Sequence, residues 1–209
     1  EPYPVSSVHG SGSGDILDRV CELLPPPDEK QDEDDDTIKV ALIGRPNAGK
    51  SSLVNRIIGD ERMIVSDVAG TTRDAIDSEF ENEYGKYVFI DTAGIRKTGK
   101  ISDSIEKYSI LRAEMAVERS DVCLILIDAT EGVTAQDERV AGIAHESGKA
   151  CIIVINKWDL IEKDTKTMDE FRKDVYTALS YMTYAPILFI SAKTGQRVNR
   201  LYELINYVN

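Results

Sequence analysis

Cysteine, histidine and long apolar runs are all scarce in this sequence. It has 3 cysteines and 2 histidines, and no apolar run approaches the roughly 18 residues of a membrane span. Cys21, Cys123 and Cys151 are odd in number and widely spaced, which favours a reducing cytoplasm over a disulfide framework. The last two lie inside apolar runs, so we predict buried thiols. His9 and His145 lie in unrelated contexts and are not expected to act in catalysis.

An excess of basic charge is also absent. The net charge is −12, and residues 28–36 contribute seven acids against one base. The remainder is only mildly acidic, so charge alone does not predict a nucleic-acid partner. The first residues contain neither a basic nor an apolar segment, so we predict neither a secretory signal nor a membrane partner. Three prolines precede the acidic run, and residues 25–36 are therefore predicted to form a linker.

From Ile38 onward, short apolar runs alternate with helical patterns. This order favours an α/β fold, a mostly parallel six-stranded sheet with helices on both faces. A polar alternating segment, residues 77–86, is predicted to form an edge hairpin that turns at Gly85. The predicted apolar strands are 38–44, 87–94, 121–130, 150–159 and 186–192, and the predicted helices are 50–59, 104–119, 135–147, 167–181 and 197–208.

The segment GRPNAGKS directly follows the first predicted strand. It matches the phosphate-binding pattern G-x-x-x-x-G-K-[ST], whose glycines let backbone N–H groups surround phosphate oxygens. In that pattern Lys50 reaches the terminal phosphates and Ser51 ligates Mg²⁺. A plain glycine turn is the alternative if this motif stands alone. The predicted phosphate-binding residues are Gly44, Arg45, Pro46, Asn47, Ala48, Gly49, Lys50, Ser51 and Ser52.

The segment DTAG ends the second apolar strand. We expect Asp91 to hold a water of the Mg²⁺ shell and Gly94 to donate its N–H to the last phosphate. A capping aspartate and a turn glycine would be the structural alternative. Thr92, Ala93 and Ile95 complete the predicted contact segment.

The segment NKWD follows the fourth apolar strand and predicts the base. A carboxylate at Asp159 would accept from the N1–H and the amine of guanine, whereas adenine offers no such donor pair. We expect the stem of Lys157 to lie over the base and Asn156 to join this loop to the phosphate loop. In the last strand's loop, Ser191–Lys193, we expect the N–H of Ala192 to face guanine O6.

These four motifs, in this order and each at a strand's end, resemble those of a Ras-like guanine-nucleotide domain of the translation-factor-related class. The resemblance covers residues 37–209 and implies GTP and GDP as substrate and product, with Mg²⁺ as cofactor. Residues 66–77 resemble the first switch of the Era, MnmE and Der (EngA) GTPases. There the resemblance implies that Thr72 ligates Mg²⁺ when a γ-phosphate is present, with Thr71 as the alternative ligand and a polar capped loop as the structural alternative.

Residues 92–121 most resemble the second switch of the second G domain in Der (EngA) tandem GTPases. Such proteins carry two G domains, an acidic linker and a KH-like domain. The segment 5–24 also aligns without gaps on the segment that begins at Ile190, since Ser6 falls on Ser191, Gly10 on Gly195 and Leu23 on Val208. We therefore expect residues 1–24 to be the C-terminal strand, loop and helix of a preceding G domain, which binds no nucleotide itself. The apolar face of that helix, Ile16, Leu17, Val20 and Leu23, is expected to dock or to promote association.

Hydrolysis is expected to be slow. Ras-like switches often place glutamine after the glycine of DTAG, where this sequence has Ile95. In MnmE-like relatives an asparagine of the phosphate loop helps to bind K⁺, and Asn47 occupies the matching position. The resemblance therefore implies K⁺-stimulated turnover, whereas the structural alternative for Asn47 is a loop residue with an unusual φ. Solvated charge is favoured over an arginine finger for Arg73, Arg96, Lys97 and Lys100.

The Der resemblance implies a GTPase that acts with the large ribosomal subunit or its rRNA. A nucleotide-dependent interaction module with negligible turnover and the G domain of an MnmE-like tRNA-modification GTPase are the alternatives. The segment 5–24 argues against the MnmE-like domain, and NKWD argues against a P-loop kinase.

Overall fold

The computed structural model describes Arg19 and residues 36–60, 77–92 and 105–209. The chain divides into two compact units, Glu1–Asp36 and Thr37–Asn209. All of the strands among the described residues lie in the second unit. The predicted helix before Leu24 and the predicted first switch fall largely outside the described residues, as do residues 93–104 of the predicted second switch.

Six strands form one sheet in the order β2-β3-β1-β4-β5-β6. Every neighbouring pair is parallel except β2 with β3, which form an antiparallel hairpin at one edge. Long apolar strands occupy the centre because a parallel sheet is covered on both faces. The predicted α/β fold is confirmed. The strands are β1 (Thr37–Ile43), β2 (Ser78–Asn82), β3 (Gly85–Ile90), β4 (Val122–Asp128), β5 (Ala150–Asn156) and β6 (Ile187–Phe189).

Two apolar cores lie on opposite faces of the sheet. Alternate side chains of β4 show the division, since Leu124 belongs to one core and Ile125 to the other. Helices α1 and α5 cover the first core, and helices α2, α3 and α4 cover the second. Cys123 and Cys151 are buried in the second core, as predicted. The helices are α1 (Lys50–Asp60), α2 (Ile105–Glu118), α3 (Ala135–Glu146), α4 (Thr167–Ala178) and α5 (Arg200–Val208).

Several predicted boundaries were wrong by a few residues. The first helix continues through Gly59 to Asp60, and Gly85 is the first residue of β3 rather than the turn itself. The turn lies before Gly85 because the side chain of Asn82 accepts the N–H of Tyr84 at 2.8 Å. Helix α4 ends at Ala178, and a 3-10 turn at Ser180–Met182 follows it.

The two outermost strands differ in length and charge. Strand β6 has 3 residues, while β2 alternates buried residues with the exposed Glu79 and Glu81. Within the described ranges, no helix combines the length and the apolarity that crossing a bilayer requires.

Candidate functional site

Two glycines of the loop between β1 and α1 are required by close backbone approach. Gly44 has φ 146°, and a Cβ there would lie 2.5 Å from the carbonyl oxygen of Leu126. Gly49 has φ 101°, and a Cβ there would overlap the side-chain nitrogen of Asn156. A side chain would be strained in both places, which accounts for glycine at both. Between them, Pro46 and Asn47 are exposed and Ala48 is buried.

Lys50 begins α1 and turns back into this loop. Its Nζ donates to the carbonyl of Gly44 at 2.5 Å and to that of Arg45 at 2.7 Å. Burial is the main reason that the pKa of Lys50 falls to about 8; Asp137 opposes the shift, and the nearby Arg45 adds to it. The loop therefore holds an ammonium group that loses its proton at a lower pH than an ordinary lysine. An anion at this position would favour the charged form.

Asn156, the last residue of β5, joins the phosphate loop to the loop after β6. Its side-chain Nδ2 donates to the carbonyl of Ala48 at 2.9 Å, and its Oδ1 accepts the N–H of Ala192 at 2.9 Å. Asn156, Ala48 and Ala192 are all buried. The predicted link between the loops is present. The N–H expected to face guanine O6 donates instead to Asn156, so a contact from Ala192 to O6 stays a prediction.

The segment after Asn156 is fixed by a buried tryptophan. The backbone N–H of Trp158 donates to the carbonyl of Ile190 at 3.0 Å, and the ring centroids of Trp158 and Phe189 are 4.4 Å apart. This anchor holds the 3-10 turn Trp158–Leu160, in which Asp159 is half-buried.

Lys157 is left-handed, with φ 61°, and its side chain is held by a carboxylate. Its Nζ lies 2.5 Å from Oδ2 of Asp128 at the end of β4. Burial alone would raise the pKa of Asp128, but hydrogen bonds from Lys157 and Thr130 outweigh it and leave that pKa below its ordinary value. The expected stacking of the Lys157 stem on a base stays a prediction.

Arg56 of α1 supports the loop after β6. Its guanidinium donates to the carbonyl of Lys193 at 2.6 Å and to that of Ala192 at 3.4 Å. An open depression of about 450 Å³ lies beside it and is lined in part by Ser52 and Lys193. Two predicted contact residues from distant segments therefore share one surface. Ser191 is buried, and its Oγ accepts the N–H of Thr194 at 3.1 Å.

Asp91 follows strand β3. This strand lies next to β1, the strand that leads into the phosphate loop. β1 and β3 are parallel neighbours, so Asp91 lies at the same sheet edge as Ser51. The backbone of Asp91 is left-handed, with φ 54°, and its N–H donates to Asp77 at 2.9 Å. Asp77 is in turn paired with Arg119. The buried Thr92 hydroxyl lies 2.7 Å from that of Ser78, so this contact links Thr92 to strand β2.

A serine hydroxyl and a carboxylate are oxygen donors of the kind that Mg²⁺ prefers. Ser51 and Asp91 therefore fit this metal. Among the described residues, no group of three or more His, Cys, Asp or Glu could hold a metal alone, so nucleotide oxygens and water would complete the shell. Four predicted site residues, Thr72, Ala93, Gly94 and Ile95, lie outside the described residues.

Comparison with known proteins agrees with this arrangement. Residues 39–157 match the family described as 50S ribosome-binding GTPase. The chain is 63% identical over 208 residues to GTPase Der of Acetivibrio thermocellus, covering 100% of this chain and 47% of that protein. It is 63% identical over 204 residues to GTPase Der of Ruminiclostridium cellulolyticum, covering 98% of this chain and 46% of that protein. The chain thus spans about half the length of these relatives.

The fold also matches a solved structure with bound nucleotide. Era in complex with MgGDPNP and nucleotides 1506–1542 of 16S ribosomal RNA superposes with a TM-score of 0.63 at 28% identity, covering 83% of this chain and 57% of that one. The resemblance to Der and the Ras-like fold are therefore confirmed. Together with the match over residues 39–157, this shows that the chain belongs to the family of 50S ribosome-binding GTPases.

Proposed function

We propose that residues 37–209 bind a guanine nucleotide and hydrolyse GTP to GDP and phosphate. The observation that carries this proposal is the double contact of Asn156, which joins Ala48 of the phosphate loop to Ala192. This contact brings the phosphate loop next to the two loops that are predicted to contact the base, so that the three loops form one surface. Asp159 lies three residues beyond Asn156, where its half-buried carboxylate would accept from the donor edge of guanine.

The chain's own residues supply the positive charge for the phosphates. Lys50 leaves the carbonyls of Gly44 and Arg45 and turns to the terminal phosphates. Ser51 and Asp91 would hold Mg²⁺, Asp91 through a water, and Thr72 is proposed as the ligand that engages with GTP alone. Mg²⁺ neutralises charge that develops on the transferred phosphoryl group. Gly94 would donate its backbone N–H to the last phosphate.

We propose that turnover is slow and stimulated by K⁺. Ile95 offers no hydrogen bond to orient the attacking water, so positioning is weaker than with glutamine. Asn47 supports the K⁺ proposal because it is exposed in the phosphate loop, although its φ of 65° is also the unusual conformation that the structural alternative requires. Its amide oxygen is a suitable ligand for a hard cation, and K⁺ would add positive charge beside the phosphates.

The cellular role is proposed from the relatives. The proposed role is that of a cytoplasmic GTPase that acts on the large ribosomal subunit or its rRNA; the family description and the Der matches support the link to the ribosome. In that arrangement residues 1–24 are the tail of a first G domain and residues 25–36 the linker. A KH-like domain would follow in cis. The Era structure, which contains ribosomal RNA, supports an RNA-linked role for the fold.

Nucleotide binding and turnover in two salts test the proposal. GDP and GTP should bind, and ADP and ATP should compete at least a hundredfold more weakly. GTP turnover should be clearly faster in K⁺ than in Na⁺, and Asn47→Ala should remove the difference. Asn199→Ala is the control, because Asn199 is exposed and makes no capping bond. Equal competition by ATP would refute the guanine site, whereas equal turnover in the two salts would refute only the K⁺ role.

A further inference from the structure

A buried carboxylate at the end of β4 lies between the phosphate loop and the base loop. The side chain of Asp128 is 2% exposed. Its Oδ1 accepts the N–H of Thr130 at 2.9 Å and the hydroxyl of Thr130 at 2.7 Å. These two bonds fix the carboxylate plane, so Oδ2 is presented in one direction. None of the four nucleotide motifs contains Asp128.

Oδ2 of Asp128 faces two cations from two different motifs. Nζ of Lys157 donates to this oxygen at 2.5 Å. NH2 of Arg45 lies 3.9 Å from the same oxygen and makes no hydrogen bond among the described residues. The Arg45 side chain is 12% exposed, and its NH1 is paired at 2.6 Å with Glu131 on the exposed side. Lys157 therefore holds the buried oxygen, and Arg45 stays within the field of the same charge.

This contact restrains the lysine expected to lie on the base. The backbone of Lys157 is left-handed, with φ 61°, directly after strand β5. A long lysine stem has many rotamers, and ordering it in a complex loses conformational entropy when nothing fixes it beforehand. A buried acceptor that fixes the ammonium group in advance reduces this loss for any ring that the stem contacts.

We infer that Asp128 is a positioning residue for base recognition, acting through Lys157 to hold its side chain ready for the purine ring. This inference rests on the proposed guanine-nucleotide site. The hydrogen bonds of Asp128 go to Thr130 and Lys157. Its contribution therefore belongs to the base side of the site and disappears when Lys157 cannot form the ion pair.

A double-mutant cycle on GDP binding tests the inference. We expect Asp128→Asn to weaken GDP binding about tenfold and Lys157→Met, which keeps an apolar stem, to weaken it by a similar factor. The double variant should be about as weak as either single variant, not a hundredfold weaker. Glu131→Gln is the matched control, since it removes a carboxylate paired with Arg45 without touching Lys157, and should change GDP affinity less than twofold.

Two further measurements separate positioning from loss of structure. Acylation of Lys157 by an amine-reactive reagent, followed by peptide mass spectrometry without nucleotide, should be faster in Asp128→Asn. If Asp128→Asn does not fold, Thr130→Ala loosens the same carboxylate and keeps its charge, and it should show a smaller loss that also vanishes with Lys157→Met. Multiplying losses, or unchanged acylation, would overturn the inference. Failure of the unaltered protein to prefer GDP over ADP would instead overturn the proposed function.

Discussion

The side-chain nitrogen of Asn156 donates to the carbonyl of Ala48 at 2.9 Å, across 108 positions of sequence. Both residues are buried, and the side-chain oxygen of Asn156 accepts a hydrogen bond from the N–H of Ala192. One side chain therefore determines the spacing of two loops that must each contact a different part of a nucleotide.

Replacing Asn156 by alanine should separate these loops. The change leaves a buried carbonyl and a buried N–H without partners, and each costs about 1–3 kcal/mol. We expect GDP affinity to fall at least tenfold and the thermal midpoint to fall by several degrees. Fluorescent-nucleotide titration and calorimetry measure the two effects. Asn199→Ala should change neither.

Replacing Gly49 by alanine should push Asn156 aside. Gly132→Ala is a matched control, because Gly132 also has a positive φ (69°) but has open space where a Cβ would lie. Both changes strain the backbone by about 1–2 kcal/mol, so both should lower the thermal midpoint. Only Gly49→Ala should lose GDP affinity by tenfold or more. A similar loss in Gly132→Ala would show that strain, not contact with Asn156, is responsible.

Asp159→Asn should exchange the base that the domain prefers. The carboxylate accepts from the N1–H and the amine of guanine, whereas asparagine can accept from N1–H and donate to the carbonyl that xanthine carries in place of the amine. We expect xanthosine diphosphate to bind the variant more tightly than GDP does, reversing the original order. Competition titrations with both nucleotides measure this, with the exposed Asp174→Asn as control. Unchanged preference would show that Asp159 does not contact the base.

GDP affinity should fall as the pH rises through 8. The unliganded protein holds Lys50 with a pKa of about 8, and bound phosphates raise that pKa, so binding takes up a proton above this pH. By this linkage, affinity should decrease about fourfold between pH 7 and about pH 8.5. Calorimetry in two buffers of different protonation enthalpy measures the uptake. Lys50→Arg stays charged and should show none.

The strands and the four nucleotide motifs were predictable because each depends on local chemistry. Fully apolar runs such as β4 and β5 indicate strands buried on both faces. Contacts between distant segments were not predictable unless both ends lie in nucleotide motifs, as in the link from Asn156 to the phosphate loop. Arg56 contacts the carbonyl of Lys193, 137 positions away, and nothing near either residue indicates it. Asp128 offered one signal, a charge that ends an apolar strand, but its partner Lys157 depends on how β4 and β5 align.

The two edge strands of the sheet affect whether this domain pairs with a second copy of the same fold. Open strand borders invite pairing with another chain, and a short or charged border discourages it. Here one border offers the three residues of β6 and the other carries the carboxylates of Glu79 and Glu81. A polypeptide with two consecutive copies of such a sheet would be especially exposed to strand exchange between them. A short edge strand and a charged edge strand would help each copy to fold independently.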